Sequence, residues 1–321
     1  MRILMVGATG AIGRPLVQLL VSNGHAVAGT TRTPGKVDEL RAAGADPLIL
    51  DILDRDAVRG ALRDAEPEVV VHQATALGGF TDFRRFDQGF AATNRLRTEG
   101  TDNLLASMLE LGVRHMVAQS FAGWPHARVG GPVKTEDDPL DSDPPEALRN
   151  TLKAIQHLER AVLNTDGIRG TALRYGGFYG PGTSLADGAF QLEGVRKRRF
   201  PIVGAGTGIT SFIHIDDAAT ATLAAIERGV QGLYNIVDDD PAPVVEWLPA
   251  LAEAIGAKPP RRIPVWLARL FVGEHGVVMM TDVRGASNAK AKRDLDWRPA
   301  YPSWRDGFRT GLGTAPAIKA A

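Results

Sequence analysis

The chain has 321 residues, of which 44% are hydrophobic, and its 37 lysines and arginines balance its 37 aspartates and glutamates. This length suits one large α/β domain, alone or with a smaller lobe. The zero net charge gives no attraction to nucleic acid or to a membrane surface. Because there is no cysteine, disulfides, thiolate catalysis and cysteine-ligated metals are excluded, and no metal site is predicted. Neither a signal peptide nor a membrane span is apparent, so a cytoplasmic location is expected.

Short apolar runs alternate with helical patterns through the first half of the chain. The apolar runs cover residues 3–6, 26–30, 47–50, 68–72, 115–119 and 170–174. The periodicity between them predicts helices at about 12–22, 36–43, 55–63, 84–111 and 146–164. Strands that alternate with helices predict an α/β fold with a doubly wound parallel Rossmann sheet, buried on both faces.

Glycine and proline interrupt this repeat after Arg174. A strand and helix at 211–229 and a strand at 233–238 are predicted next, whereas the sequence beyond 240 shows helices and loops without a strand repeat. We therefore predict a Rossmann domain and a small C-terminal lobe that binds the substrate. Their boundaries are 1–174 plus about 209–239 for the domain, and about 175–208 plus 240–313 for the lobe.

The segment GATGAIG follows the first predicted strand and begins the first predicted helix. A dinucleotide needs this glycine spacing: the first glycine permits a tight turn, the second lets backbone approach the pyrophosphate, and the third lets helix pack on strand. The helix N-terminus then offers free N–H groups to the phosphates. A glycine turn without a ligand is the alternative, and the strand–turn–helix context favours the dinucleotide. The expected contacts are Gly7, Thr9, Gly10, Ala11, Ile12 and Gly13.

The end of the second strand indicates which dinucleotide binds. Many NAD-binding folds have an acidic residue here for the ribose hydroxyl, but this chain has Arg32, with Thr31, Thr33 and Lys36 nearby. A guanidinium can bind a 2′-phosphate through two hydrogen bonds. We therefore predict NADP(H) in preference to NAD(H), with a solvated loop arginine as the alternative. Asp51, after the third strand, is placed either to meet the adenine or to cap the next helix.

Further motifs accompany the glycine loop along nearly the whole chain. They read LILDILD around Asp51, VVVHQATA after the fourth strand, GVRHMVAQS up to Ser120, RYGGFYGPG, FIHIDDAA and LDWRPAYPSWRDGF. With these motifs the chain resembles an extended short-chain dehydrogenase/reductase, the group also called the NAD-dependent epimerase/dehydratase family. The motifs are specific for the fold and superfamily and much less specific for the reaction.

The resemblance implies a set of site residues. A Ser or Thr after the fifth strand and a Tyr-x-x-x-Lys pair on the next helix are expected to carry catalysis, with the Lys on the nicotinamide ribose and the Tyr as proton donor. Ser120 matches the Ser position and Lys153 the Lys position, but the Tyr position holds Arg149. The resemblance also places four residues after the third and fourth strands at the cofactor, namely Ile52, Gln73, Ala74 and Thr75.

Arg149 is a departure from the family pattern, because a guanidinium cannot give up a proton near neutral pH. It can still polarise a carbonyl, bind a carboxylate, or pair with Asp137 or Asp138. Candidates for the missing proton donor are Tyr175, Tyr179, His126, His157, a water held by Ser120 and Lys153, and Lys153 itself. The usual helix asparagine is also in doubt, because the pattern places it near Arg97, one turn after Asn94.

Three functions fit this sequence. The leading hypothesis is an NADP(H)-dependent oxidoreductase acting on the carbonyl or alcohol of a small organic metabolite. The first alternative is a nucleotide-sugar epimerase or dehydratase, although Thr210 stands where such members carry a diphosphate-binding arginine. The second alternative is a non-catalytic dinucleotide-binding redox sensor, which Arg149 would permit.

The sequence also gives expectations about partners and about the lining of the substrate pocket. Relatives often dimerise through the two long helices, predicted here at 84–111 and 146–164, so a homodimer is expected. A small-molecule substrate is expected, and neither nucleic acid nor membrane is. Four aromatic residues are candidates for an apolar substrate pocket, or equally for the core: Trp124, Phe178, Phe190 and Trp266.

Overall fold

The computed structural model describes residues 1–77 and 85–313. Its strands, in chain order, are β1 (Arg2–Val6), β2 (Ala26–Thr31), β3 (Asp46–Ile49), β4 (Val69–His72), β5 (His115–Phe121), β6 (Val133–Lys134), β7 (Arg169–Tyr175), β8 (Gly177–Tyr179), β9 (Ile202–Val203), β10 (Ile209–Thr210), β11 (Phe212–His214), β12 (Gly232–Ile236), β13 (Ala242–Pro243), β14 (Arg262–Ile263) and β15 (Gly285–Ala286). Seven strands form one parallel sheet in the order β12-β7-β5-β4-β1-β2-β3. The predicted doubly wound parallel sheet is thereby confirmed.

Helices connect these strands. They are α1 (Gly13–Ser22), α2 (Val37–Ala42), α3 (Arg55–Ala65), α4 (Phe86–Arg95), α5 (Thr101–Leu111), α6 (Arg149–Asn164), α7 (Phe190–Arg196), α8 (Ile215–Arg228), α9 (Val244–Ala254), α10 (Val265–Thr281), α11 (Ala289–Asp294) and α12 (Trp304–Thr310). In the part of the chain that the structure describes, no helix is long and apolar enough to cross a membrane.

One predicted helix is divided in the structure. The pattern over 84–111, whose first residue lies outside the described range, forms α4 and α5 with a π-helical turn, Leu96–Gly100, between them. A π-turn inserts an extra residue into the helix and shifts the side chains on either side of it. The periodicity of the sequence did not reveal this insertion.

Successive strand residues face opposite sides of the sheet, and each side has its own core. Ile3 and Met5 of β1 point toward α1 and α8, where they pack with the apolar residues of those helices. Leu4 and Val6 point the other way, toward α3, α5 and α6. A third cluster lies around Tyr179, in a part of the chain built from short strand pairs and α7, α9 and α12. The predicted domain boundaries stay a prediction.

The strand order also sets where a ligand can bind. The chain passes from β1 to β2 and β3 on one side, then returns to β4 on the other side of β1. In an open parallel sheet the crevice at such a switch point, beside the carboxyl ends of the strands, is where ligands bind. The loops after β1, β2, β3, β4 and β5 all end at this edge.

Candidate functional site

The glycine loop after β1 is packed against the end of β4. Gly7 has φ +85°, a left-handed conformation, and a Cβ there would lie 2.8 Å from the Ala74 nitrogen. A Cβ on Gly13 would overlap the Gly7 carbonyl oxygen and the Ala8 backbone. Gly10 differs, because a Cβ there would meet only the Gly7 oxygen, at 3.2 Å, and the residue is exposed.

These three positions match the roles that a dinucleotide requires. Gly7 and Gly13 are needed for internal packing, whereas Gly10 keeps open space outside the loop. Thr9 and Ala11 are partly exposed on the same loop, and Ile12 is buried beneath it. Only an outward glycine lets a pyrophosphate lie against the backbone at the start of α1. The geometry therefore fits a bound dinucleotide.

The end of β2 is tied to this loop by threonine side chains. The Gly7 amide donates to Thr30 Oγ1 at 3.3 Å, and the hydroxyls of Thr9 and Thr31 lie 3.4 Å apart. Arg32 follows directly and is exposed, and no described residue accepts a hydrogen bond from it. The guanidinium is thus available beside the loop, as a 2′-phosphate contact requires.

The structure after β3 shows whether Asp51 caps the following helix. Its carboxylate accepts a hydrogen bond from the Leu53 amide at 3.0 Å and is otherwise exposed. The N-cap of α3 is Asp54, which accepts from the Ala57 amide at 3.0 Å, so Asp51 does not cap that helix. Ile52 is buried behind it. The adenine contact predicted for Asp51 and the cofactor contact predicted for Ile52 stay predictions.

The end of β4 connects to Tyr175 through a buried hydrogen-bond chain. Gln73 Nε2 donates to the Tyr175 hydroxyl at 3.0 Å. The Thr222 hydroxyl donates its own hydrogen to the Ala218 carbonyl, so Tyr175 donates to Thr222 Oγ1, at 2.6 Å. Burial raises the pKa of the Tyr175 phenol above its usual value. Tyr175 therefore stabilises the end of β4, where Ala74 also lies, and its hydroxyl hydrogen is already donated to Thr222.

Tyr179 is also enclosed. It packs among Phe212, His214 and Phe308 in the third core cluster, and no described residue forms a hydrogen bond with its hydroxyl. Burial raises its pKa as well. The expectation that Tyr175 or Tyr179 replaces the missing proton donor is therefore at odds with where the structure places them.

A buried polar network surrounds Ser120. Its hydroxyl donates to Glu159 Oε1 at 2.6 Å, and Arg174 donates to both Glu159 oxygens at 2.7 Å. Arg174 Nη1 also donates to His126 Nε2 at 3.2 Å, so His126 keeps its hydrogen on Nδ1, which donates to the Gly123 carbonyl. Burial lowers the pKa of His126 to about 4, so this imidazole is neutral. In this arrangement Ser120 has no hydrogen to offer a substrate.

A second set of contacts fixes the start of α6 against α4. Asp87 accepts hydrogen bonds from the amides of Asn150 and Thr151, both at 2.9 Å, and from the Thr151 hydroxyl. Asn94 donates to that same hydroxyl at 3.1 Å. Thr151 is fully buried, so α6 is turned with Thr151 inward.

The rotation of α6 determines where the predicted Tyr-x-x-x-Lys positions point. At about 100° per residue, Lys153 lies roughly 200° around the helix from Thr151. Lys153 is accordingly exposed in an outer groove that contains Asn94, Arg95, Thr98, Asn150, Ala154, His157 and Arg160. This exposed, outward position is at odds with the expectation that Lys153 faces the ribose.

Arg149 lies outside as well. Its nearest carboxylate is Asp143, at 3.7 Å, and its Nε donates to the Pro144 carbonyl at 3.4 Å. The pairing expected with Asp137 or Asp138 is wrong, because Arg149 meets the loop immediately before α6 instead. His157 is held by Asp102 at 2.8 Å in the outer groove, away from Ser120.

Aromatic rings gather where β5 ends and α4 begins. Phe86 stacks on Phe90 with ring centroids 4.3 Å apart, and Trp124 meets Phe86 edge-on at 5.7 Å and Phe121 at 6.4 Å. Of the four predicted pocket residues, only Trp124 belongs to this cluster. Phe178 packs on Tyr175, and two are exposed, Phe190 on α7 and Trp266 on α10.

Sequence reasoning missed Glu159 as a central residue, although a signal was present. Glu159 falls on the apolar stripe of α6, between Leu158 and Val162. A carboxylate on a buried stripe must be paired, because an isolated charge in an apolar interior is very costly. Its partner, Arg174, lies near the end of β7, where a buried part of the strand carries a charge.

Comparison with known proteins identifies several relatives. A family model described as the NAD dependent epimerase/dehydratase family matches residues 3–237. A 3-diazoavenalumate denitrifying reductase of Streptomyces sp is 45% identical over 311 residues, which are 96% of this chain and 99% of that protein. A 2-alkyl-3-oxoalkanoate reductase of Stenotrophomonas maltophilia is 28% identical over 266 residues, which are 80% of this chain and 76% of that protein.

Solved structures agree on the architecture. A UDP-glucose 4-epimerase of Thermotoga maritima with UDP-glucose superposes with a TM-score of 0.74 at 23% identity, covering 97% of each chain. A human epimerase family protein with NADPH gives a TM-score of 0.73 at 20% identity, covering 97% of this chain and 99% of that one. At these identities the likeness shows the fold alone.

The glycine loop generates the first prediction. We expect Gly10→Val to stay folded and to lose NADPH binding, because the added side chain occupies only the outer space. Gly13→Val is the matched control and should lower stability by about 1–3 kcal/mol or more, since its Cβ overlaps backbone. Thermal unfolding and calorimetric titration measure the two effects. Wild-type NADPH affinity in folded Gly10→Val would show that the loop is only a turn.

The outward position of Lys153 gives a second prediction. We expect Lys153→Ala to bind NADPH within about twofold of the wild type, because exposed substitutions usually change free energies by less than about 0.5 kcal/mol. Fluorescence titration of NADPH measures this, with Gly10→Val as the variant that should not bind. A loss of tenfold or more in Lys153→Ala would instead place this lysine on the ribose.

Proposed function

Because the chain belongs to the NAD dependent epimerase/dehydratase family and is an oxidoreductase that uses a nicotinamide dinucleotide, we propose that it reduces a small organic diazo compound with NADPH. The observation that supports this proposal is the similarity to the reductase of Streptomyces sp, whose name describes removal of nitrogen from a diazo compound. Its 45% identity extends over nearly the full length of both chains.

The chemistry of such a reaction balances without a proton donor. When bound, the reduced dinucleotide supplies a hydride from C4 of its nicotinamide. The substrate carbon that carries the diazonium group accepts this hydride, its C–N bond breaks, and N₂ leaves with the electron pair of that bond. The carbon ends with a C–H bond, and no oxygen is left that needs protonation.

The side chains around the cleft support this choice over carbonyl reduction. Reduction of a carbonyl produces an alkoxide, for which a positioned acid typically contributes 10²–10⁴-fold. Here Tyr175 commits its proton to Thr222, Ser120 commits its hydroxyl hydrogen to Glu159, and Lys153 points outward. Tyr175 and Ser120 can hold the strand ends in place, but none of the three residues is arranged to deliver a proton.

The aromatic cluster at the end of β5 suggests the shape of the substrate. Phe121 and Trp124 are partly exposed, and both lie at the edge where the glycine loop, β4 and β5 end. Aromatic rings prefer offset or edge-on contact with one another. A substrate that carries its diazo group on an aromatic ring would pack here.

The preference for NADPH rests on Arg32. It is exposed next to Thr31, which is tied to the glycine loop through Thr9. A free guanidinium in this position suits a 2′-phosphate, and no carboxylate from β2 is present to bind a ribose hydroxyl.

Other functions are less well supported. Reduction of a carbonyl, as in the 2-alkyl-3-oxoalkanoate reductase relative, is the second candidate because that relative is 28% identical. The nucleotide-sugar alternative is supported by relatives of lower identity, such as a UDP-glucose 4-epimerase at 26%. A sensor without catalysis would not account for 45% identity to a reductase. The homodimer and the absence of a nucleic-acid partner stay predictions.

A matched pair of substrates tests the proposed reaction. We expect the enzyme to convert 4-carboxybenzenediazonium to benzoate with NADPH, and to reduce 4-acetylbenzoate at least roughly 100-fold more slowly, because no described side chain is positioned to protonate the alkoxide. The two compounds share one ring and one carboxylate. NADPH absorbance and product analysis measure the rates, and deuterium at nicotinamide C4 should appear on the ring carbon that lost N₂.

Reactions without protein and with Gly10→Val give the background of this assay. Faster reduction of the ketone than loss of N₂ would favour the carbonyl function instead. Tight NADPH binding without turnover of either compound would count against both.

Selectivity for the phosphate is a separate prediction. We expect the wild type to bind NADPH more tightly than NADH, and Arg32→Ala to lose roughly ten- to a hundredfold in NADPH affinity alone, because a charge-assisted contact contributes about 1.5–3 kcal/mol. Titration of both cofactors with both proteins measures this. Lys36→Ala, four residues on, is a control for general loss of positive charge, and equal wild-type affinities would refute the preference.

A further inference from the structure

Arg97 is a buried cation that pairs with no carboxylate in the part of the chain that the structure describes. It lies in the π-helical turn between α4 and α5, and only 5% of it is exposed. No described residue accepts a hydrogen bond from its guanidinium, and Nη1 is completely enclosed. Burial lowers the pKa of Arg97 to about 10, which leaves it charged at neutral pH. An unpaired buried charge is costly, so folded proteins normally pair it or use it.

The groups around Arg97 do not neutralise it. The nearby carboxylate, Glu159, already accepts two hydrogen bonds from Arg174 and one from Ser120. Two buried imidazoles are neutral, because burial lowers the pKa of His72 and of His126 to about 4. Among the described residues, Glu159, Arg97 and Arg174 taken together therefore carry one positive charge in excess.

The position of Arg97 is at the ligand edge of the sheet. The carbonyl of Leu96, its neighbour, lies 3.3 Å from Nε2 of His72, the last residue of β4. On the other side, Asn94 bonds Thr151 at the start of α6. Arg97 thus belongs to the segment between β4 and α6, directly behind the strand end that meets the glycine loop.

We propose that Arg97 binds an anionic oxygen of a ligand in this cleft, either a carboxylate or related oxyanion of the substrate or a phosphate of the dinucleotide. A guanidinium is suited to this role because its planar donors grip two oxygens at once. Arg97 then supplies the positive charge that the sequence assigned to Lys153. The proposal rests on the proposed function only in that the cleft receives a dinucleotide and a small substrate.

Stability measurements on two buried arginines test whether Arg97 is a structural residue. We expect Arg97→Met to leave the Tm of the ligand-free protein unchanged or to raise it, because the substitution removes an unpaired charge. Arg174→Met should lower the Tm by roughly 5–10 °C, because it leaves Glu159 buried and unpaired. An equal fall of Tm in both variants would overturn the proposal, since Arg97 would then be structural.

Binding measurements identify the anion. Benzoate and cinnamate are titrated into the NADPH complex of the wild type and of Arg97→Met, with benzamide and cinnamamide as neutral controls. We expect Arg97→Met to bind the carboxylates roughly ten- to a hundredfold more weakly and the amides equally well. If NADPH affinity falls by that factor instead and the carboxylates are unaffected, the anion is a dinucleotide phosphate.

Both of these outcomes support an anion site at Arg97. Unchanged affinity for NADPH together with absent or unchanged binding of both carboxylates would overturn it. These measurements do not depend on turnover, so a failure of the diazonium assay would refute the proposed function and still leave the role of Arg97 decided.

Discussion

The buried pair of Glu159 and Arg174 is the interaction on which the rest of the site depends. It joins α6 to the end of β7, and through Ser120 it includes the end of β5. Two charges in an apolar interior are tolerated only when their hydrogen bonds are satisfied, and here both carboxylate oxygens are occupied. The pair therefore permits little rotation of α6, and this rotation decides which side chains face the cleft.

This constraint accounts for the positions of the other residues. With Glu159 turned toward the sheet, Thr151, two turns earlier on the same side, is also inward, where Asp87 and Asn94 bind it. Lys153 and Arg149 are consequently outward. Arg97, in the π-helical turn after α4, is a buried cation next to the end of β4. If Arg97 binds the ligand as proposed, the cation of the site lies outside the helix that was expected to supply it.

The sequence predicted the sheet well because its strands are continuous apolar runs and its glycine loop has a fixed physical purpose. Gly7 and Gly13 are packed closely against backbone, and Gly10 faces open space, as their spacing predicts. The motif match did not determine which side of α6 carries Lys153. A motif can be matched two residues out of register, and a helix turns about 200° over two residues. The apolar stripe of α6 already indicated that Lys153 points outward, since Lys153 lies opposite Ile155, Leu158 and Val162. The π-turn left no signal in the periodicity.

The excess positive charge at Arg97 also limits what can react in this cleft. A diazonium group is itself cationic, so Arg97 would repel it unless the same molecule brings an anionic oxygen to the guanidinium. A substrate that carries both groups satisfies each requirement: its anion binds Arg97, and the diazo-bearing carbon is then held away from that charge. Loss of N₂ removes the substrate's positive charge during the reaction, so the repulsion is relieved as the C–H bond forms. For the proposed reaction, this loss of charge favours product formation. Carbonyl reduction would instead need a proton donor, and none of the described side chains Tyr175, Ser120 and Lys153 is arranged as one.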